Sequence, residues 1–257
     1  MKKFIASVMF ALSASLMMTV ANTAWANEEG VELEHADVDI HNQASLQRGV
    51  KYFANYCMGC HSLNFSRYNR VAKDLGLTDE QVTKNLIFTR DANGDLDKAG
   101  ALMKNGISQK DAAEWFGAPP PDLTLVGRSR GPDWIYSYLK AFYVDPTRPM
   151  GVNNTVFPNV GMPHVLWDLQ GLQEKECVKE GEGEHAVEHC ELKLVKPGSM
   201  TPAEYDQTAR DITNFLAYVG EPSKLSRKTY GVFTLLFLGL FAVVAYFLKK
   251  EYWKDVH

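Results

Sequence analysis

Residues 57–61 read Cys-Met-Gly-Cys-His, and this short run constrains the chain more than any other. Two thiols three residues apart on a helical turn can each add to one of the two vinyl groups of a porphyrin. The histidine that follows is then directed at the central iron. C-x-x-C-H is accordingly the attachment sequence for c-type haem. A thioredoxin-like redox pair would need a βαβ setting, which does not surround these residues. A zinc site would need a second paired cluster of suitable spacing. A chain built around one covalent haem must wrap a flat ligand and decide what stands opposite His61 on the iron.

The two ends of the chain bear on its compartment. Met1-Lys2-Lys3, an apolar run from Phe4 to Val20 and the exit Ala24-Trp25-Ala26 make a secretory signal over residues 1–26. Ser13 and Ser15 inside the run, with the Ala-x-Ala exit, argue against an uncleaved anchor helix. Near the other end, Tyr230 to Leu248 is uncharged for about 19 residues, close to the ~20 that cross ~30 Å of hydrocarbon. Aromatics bracket it at Tyr230, Tyr246, Phe247, Tyr252 and Trp253, where interfacial belts are expected. Lysines and arginines flank both sides of the span, so the signal sets the orientation. Residues 27–225 are expected to be exported, 230–248 to be a transmembrane anchor and 249–257 to be a cytoplasmic tail. This places a single-pass protein in a bacterial inner (cell) membrane, with its main domain on the periplasmic side.

With 23% charged and 46% hydrophobic residues among 257, the chain is not wholly disordered, collagen-like or polytopic. Its net charge of −4 offers no basic excess for nucleic acid. The exported part alone carries 20 basic and 29 acidic residues, about −9. Such a field steers a partner with a basic face.

Ser45 to Tyr56 reads as a helix that delivers the chain into Cys57, with Leu46, Val50, Phe53 and Ala54 on one side. Asp79–Ile87 is a weaker helix and Asp133–Tyr143 a third, with Trp134, Tyr138 and Leu139 near one face. Thr201-Pro-Ala-Glu204 is a capping box with proline at the first helical position. It opens an amphipathic helix through Tyr205, Ala209, Ile212, Leu216 and Val219, ended by Gly220 and Pro222. Residues 144–164 hold four prolines without useful period and read as a long functional loop. No run shows strand alternation, so the expected fold is mainly α with long loops.

The sixth iron ligand stays open on residue type alone. His35, His41, His164, His185 and His189 are available, as are Met103, Met150, Met162 and Met200. Met58 lies inside the motif and cannot reach round. Met162 stands out in Phe157-Pro-Asn-Val-Gly-Met-Pro-His164, at the end of the proline-rich loop, with His164 as its neighbour and rival.

The motif after a short helix, Ala-Pro-Pro-Pro-Asp-Leu at 118–123, Arg-x-Arg at 128–130 and Phe-Pro-x-x-Gly-Met at 157–162 resemble the cytochrome c1 family. So do the amphipathic helix and the single C-terminal span, in the same order along the chain. That family supplies the haem subunit of the cytochrome bc1 complex, ubiquinol–cytochrome c reductase. The resemblance implies a cytochrome c-like helical haem domain, mainly α, with one transmembrane helix and one covalent haem c. It implies Cys57, Cys60 and His61 as haem residues, Met162 as sixth ligand, Pro120 and Pro121 lining the pocket, and Arg130 pairing with a haem propionate. It further implies partners: the cytochrome b subunit, the Rieske iron–sulfur subunit as donor, and a soluble or membrane-bound cytochrome c as acceptor. The chain would then be a non-catalytic redox subunit of an oxidoreductase. Another membrane-tethered cytochrome c, such as an oxidase subunit or an electron shuttle, is the main rival, and a haem-based sensor with an open sixth position is the other.

Cys177 and Cys190 bound a segment with seven glutamates, from Glu174 to Glu191. In an oxidising compartment a disulfide closing this short loop is expected. A metal site from Cys177, His185, His189 and Cys190 is the sharper but weaker reading. The glutamates serve equally as a docking patch for a basic partner or as a solvated loop.

Overall fold

The computed structural model describes residues 32–255 except Ala92 and 181–186. The expected signal at 1–26 lies outside the described residues. Helix α1 (Gln43–Tyr52) runs on into a π-turn (Phe53–Cys57), followed by β1 (Leu63–Arg67), α2 (Tyr68–Asp74), α3 (Asp79–Asn85) and β2 (Leu102–Met103). Then come α4 (Gln109–Phe116), α5 (Val126–Ser129), α6 (Pro132–Lys140), β3 (Phe142–Val144), β4 (Val152–Asn154) and α7 (Trp167–Gln170). The chain continues with β5 (Gly171–Glu180), β6 (Val187–Pro197), α8 (Pro202–Gly220) and α9 (Lys224–Tyr252).

The core lies between α1 and α8. Asn42 starts α1 by accepting a hydrogen bond from the Ser45 amide. In α8 the Thr201 hydroxyl and the Glu204 carboxylate cap reciprocally, as the sequence pattern predicts. Leu46, Val50 and Phe53 are buried against Ala209, Ile212 and Phe215, each large side chain worth ~1.5–3 kcal/mol of burial. The two helices cross at Gly49, where a β-carbon would stand 2.2 Å from the Asp211 carbonyl oxygen. No residue with a side chain fits there. Asp211 is itself 1% exposed and is forked by Arg48 Nε at 2.6 Å and Nη2 at 2.9 Å, with Ser45 Oγ donating at 2.7 Å. Arg48 is half exposed, so solvent screens the pair, while the Asp211 carboxylate depends on these donors for its burial.

The fold is mainly α as expected, and short strands accompany its helices and loops. Three antiparallel ladders pair β1 with β2, β3 with β4 and β5 with β6. The β3–β4 pair divides the long loop expected at 144–164. The β5–β6 hairpin pairs the residues on either side of the glutamate-rich segment that the two cysteines bound. Residues 174–178 and 193–197 in it are solvent-exposed. With neither face buried, nothing imposes a period-two apolar pattern for the sequence to display.

Helix α9 is 29 residues long, about 43 Å at 1.5 Å per residue. It is apolar on every face, and none of it is buried. Glu221 joins it to the core, pairing with Arg128 at 3.2 Å and Arg227 at 2.6 Å.

Candidate haem site

The π-turn ends at Cys57, and the amides of Cys60 and His61 both bond back to the Cys57 carbonyl, at 3.1 and 2.8 Å. That curl sets two thiols and an imidazole on one short arc. Cys57 and Cys60 are not bonded to each other. Cys57 is buried, which pushes its thiol up to about 12.

The proline-rich run at 118–123 is stitched onto this arc. The Leu123 amide donates to the Ser62 carbonyl at 3.0 Å. The Asp122 carboxylate accepts from the Asn64 amide at 2.7 Å and the Thr124 amide at 3.0 Å. Asn105 closes the other side, its amide donating to Ser62 Oγ at 2.9 Å and its side chain to the Cys60 carbonyl. As a result the Pro121 carbonyl stands 2.7 Å from His61 Nδ1. A carbonyl only accepts, so Nδ1 carries the proton and Nε2 is the free lone pair. Among the described residues Nε2 has no hydrogen-bond partner. Burial lowers the His61 pKa, which keeps that lone pair available.

A second cluster surrounds Met162. Tyr138 on α6 donates its hydroxyl to Met162 Sδ at 3.2 Å. Its ring stacks on Trp134, with centroids 4.9 Å apart at 8°, and meets Phe142 edge-on at 5.2 Å. The Arg130 guanidinium lies over the rings of Trp134 and Phe157, at 5.0 and 5.7 Å. His164, the rival ligand, is buried and stacks on Phe142 at 4.9 Å, and its Nε2 has no partner among the described residues. Burial lowers its pKa to about 4, so it is neutral.

The structure thus gathers Cys57, Cys60, His61 and Pro121 in one arc and Arg130 and Met162 in one aromatic cluster, with half-buried Pro120 beside Pro121. Cys177 and Cys190 are bonded directly across β5 and β6, which removes both thiolates from the alternative metal set. His185 lies outside the described residues, and no group of three or more His, Cys, Asp or Glu suited to a metal occurs among them. Asn105, Asp122 and the Tyr138 hydroxyl were not read as site residues from sequence. Only Asp122 had a local signal, as the polar residue closing a proline run.

These side chains suit a haem: two unbonded thiols, one imidazole with Nδ1 pinned and Nε2 left open, and a thioether sulfur held in place. Comparison with known proteins agrees. The model of the Cytochrome C1 family matches residues 34–256. A cytochrome c1 of Allochromatium vinosum is 53% identical over 95% of this chain and 98% of its own. A protein named ammonia monooxygenase gamma subunit, from Nitrosomonas europaea, is 41% identical over 91% of this chain and 93% of its own. A mitochondrial cytochrome c1 haem protein of Saccharomyces cerevisiae is 27% identical over 84% of this chain and 68% of its own.

Proposed function

The chain belongs to the cytochrome C1 family, and from that premise we propose how its own residues perform the family's task. It is a membrane-anchored haem electron-transfer subunit of the cytochrome bc1 complex and carries one covalently bound haem c. Neither a different tethered cytochrome nor a sensor is favoured by these relatives.

Cys57 and Cys60 would hold the porphyrin through their two sulfurs. His61 Nε2 and Met162 Sδ would hold the iron. Pro120 and Pro121 line the pocket, and Arg130 pairs with a propionate. The observation that carries this reading is the 2.7 Å bond from His61 Nδ1 to the Pro121 carbonyl. Such a bond fixes the ring's tautomer and raises the basicity of the far nitrogen. Bound there, the haem supplies a one-electron couple, at higher potential with His/Met than with His/His ligation. With His61 and Met162 both holding the iron, the group would take up no substrate, and the subunit would serve as an electron carrier. Arginine stays charged at any working pH and can grip a carboxylate in bidentate fashion. The faces of Trp134 and Phe157 orient its guanidinium.

The Rieske subunit is the electron donor and a soluble or membrane-bound cytochrome c the acceptor. Residues 27–225 form the haem domain on the periplasmic side of a bacterial inner membrane. The span at 230–248 packs beside cytochrome b, and 249–257 face the cytoplasm, with 1–26 removed as a signal. The signal-like N-terminus and the unburied α9 support this arrangement.

The test is Met162→Leu in the full chain. Haem should stay covalently attached, while the midpoint potential falls strongly and the iron binds carbon monoxide. An unchanged potential without carbon monoxide binding would remove Met162 as ligand and turn attention to His164. Co-purification with a di-haem b protein and a Rieske protein tests the partners.

A further inference from the structure

The Tyr138 hydroxyl faces the sulfur of Met162, and nothing in the ligand set requires it to. Its oxygen lies 3.2 Å from Sδ, a contact in which only the phenol can donate, since a thioether has no proton. The ring cannot readily turn the hydroxyl elsewhere. Trp134 covers one face at 4.9 Å and Phe142 abuts it at 5.2 Å. The backbone is held as well, by Asn154 Nδ2 donating to the Tyr138 carbonyl at 2.9 Å.

A thioether sulfur has two lone pairs. One suffices for a metal and the other can accept a hydrogen bond. We propose that Tyr138 is a positioning residue that tunes the redox couple through Met162, its hydroxyl occupying one sulfur lone pair and leaving the other available to a metal. This inference rests on the reading of Met162 as sixth ligand. A hydrogen bond draws electron density from the sulfur and makes it a weaker donor. The oxidised, more electron-poor iron loses more by that than the reduced iron. The hydroxyl therefore raises the midpoint potential, in line with outer hydrogen bonding as a lever on such couples.

The experiment is redox titration of the membrane-embedded complex with two variants of opposite sign. Tyr138→Phe deletes one oxygen and keeps the aromatic stack. It should retain covalent haem, the weak near-red sulfur–iron band and refusal of carbon monoxide, while the midpoint falls. Site-directed incorporation of 3-fluorotyrosine at position 138, a stronger donor, should move the midpoint up. A purely structural role for the ring predicts no such pair of opposed shifts. Equal midpoints in all three proteins, with Met162→Leu still abolishing the band, would overturn the role of Tyr138 and spare the ligand. If Met162→Leu leaves band and potential intact, the underlying ligand reading fails and this inference with it. Should Tyr138→Phe not accumulate, the fluorinated protein alone decides, and an unmoved midpoint there overturns the proposal.

Discussion

Cys57 and Cys60 sit three residues apart where a π-turn unwinds, with their thiols unbonded, whereas Cys177 and Cys190 face each other across two strands and are joined. The surroundings differ as much as the sulfurs. The first pair is held from outside by Pro121, Asp122 and Asn105, contributed by segments some 40 to 60 residues away in sequence. The second sits in a hairpin whose bonds run mostly within itself, apart from Gln173 at its base donating to the carbonyls of Lys140 and Phe142. One pair is reserved for a third party and the surrounding fold holds it open. The other closes on itself and needs only its own ladder.

The sharpest way to break that contrast is to remove each pair in turn. Cys57→Ser with Cys60→Ser should abolish covalent haem altogether, read as loss of haem staining on a denaturing gel. A haem that survives denaturation would place attachment elsewhere. Cys177→Ser with Cys190→Ser should lower unfolding stability by at most ~3 kcal/mol, the chain-entropy value for a loop of this size. The absorption spectrum and midpoint potential should be untouched. A shifted potential would mean that the hairpin reaches the haem pocket after all.

The same contrast explains what the sequence could show. The attachment motif, the Thr201 capping box and the apolar span are written in adjacent residues, so local pattern sufficed. Helix α8 was legible because one face is buried at Tyr205, Ala209, Ile212 and Leu216. The β5–β6 hairpin was not, because no buried face marks its register. The roles of Asn105 and Asp122 were hidden for a different reason, although Asp122 is marked by its place after the prolines: each acts on backbone atoms of a segment that only the fold brings near. Tyr138 was visible as a helix-face residue, but its partner sulfur is 24 positions on.

A smaller effect separates the helical side from the hairpin by acid. Asp206 on α8 accepts from Tyr136 and pairs with Lys140 at 2.9 Å and Arg210 at 3.0 Å, clamping α6 to α8. Burial opposes its ionisation, yet these partners prevail and hold it at about 2. An unfolded aspartate titrates near ~3.9. The folded value is the lower, so the stabilisation is complete above that unfolded value and is lost as pH falls through about 2. Discounted for its partial exposure, the contribution is on the order of 1–2 kcal/mol. Asp206→Asn should therefore flatten the fall in unfolding free energy between those limits by about that amount, measured by denaturant titration across a pH series. An unchanged slope would locate the acid sensitivity in other carboxylates.

The smallest effect expected leaves both pairs of cysteines and the haem alone. The hairpin's strands carry Glu174, Glu176, Glu180, Glu188 and Glu191 against Lys175, Lys179, Lys193 and Lys196, close to balance, and Glu176 pairs with Lys193 at 3.3 Å. Glu182 and Glu184 between the strands, with Glu180 and Glu188 beside them, concentrate the acidic excess around the segment 180–188. Electrostatic attraction acts mainly on association rate, and it fades as the Debye length shortens from ~30 Å at 0.01 M to ~8 Å at 0.15 M. Reduction of a basic acceptor cytochrome should thus be fastest at low salt. If these glutamates supply the field, Glu180→Gln, Glu182→Gln and Glu184→Gln together should flatten the salt dependence without moving the midpoint. Stopped-flow reduction across a salt series, variant beside parent, reads the slope. Equal steep slopes would make the hairpin solvated surface only and assign the steering to the rest of the domain's negative charge. Shallow slopes in both proteins would mean that the acceptor is not basic, and the acidic domain would then have no part in its recruitment.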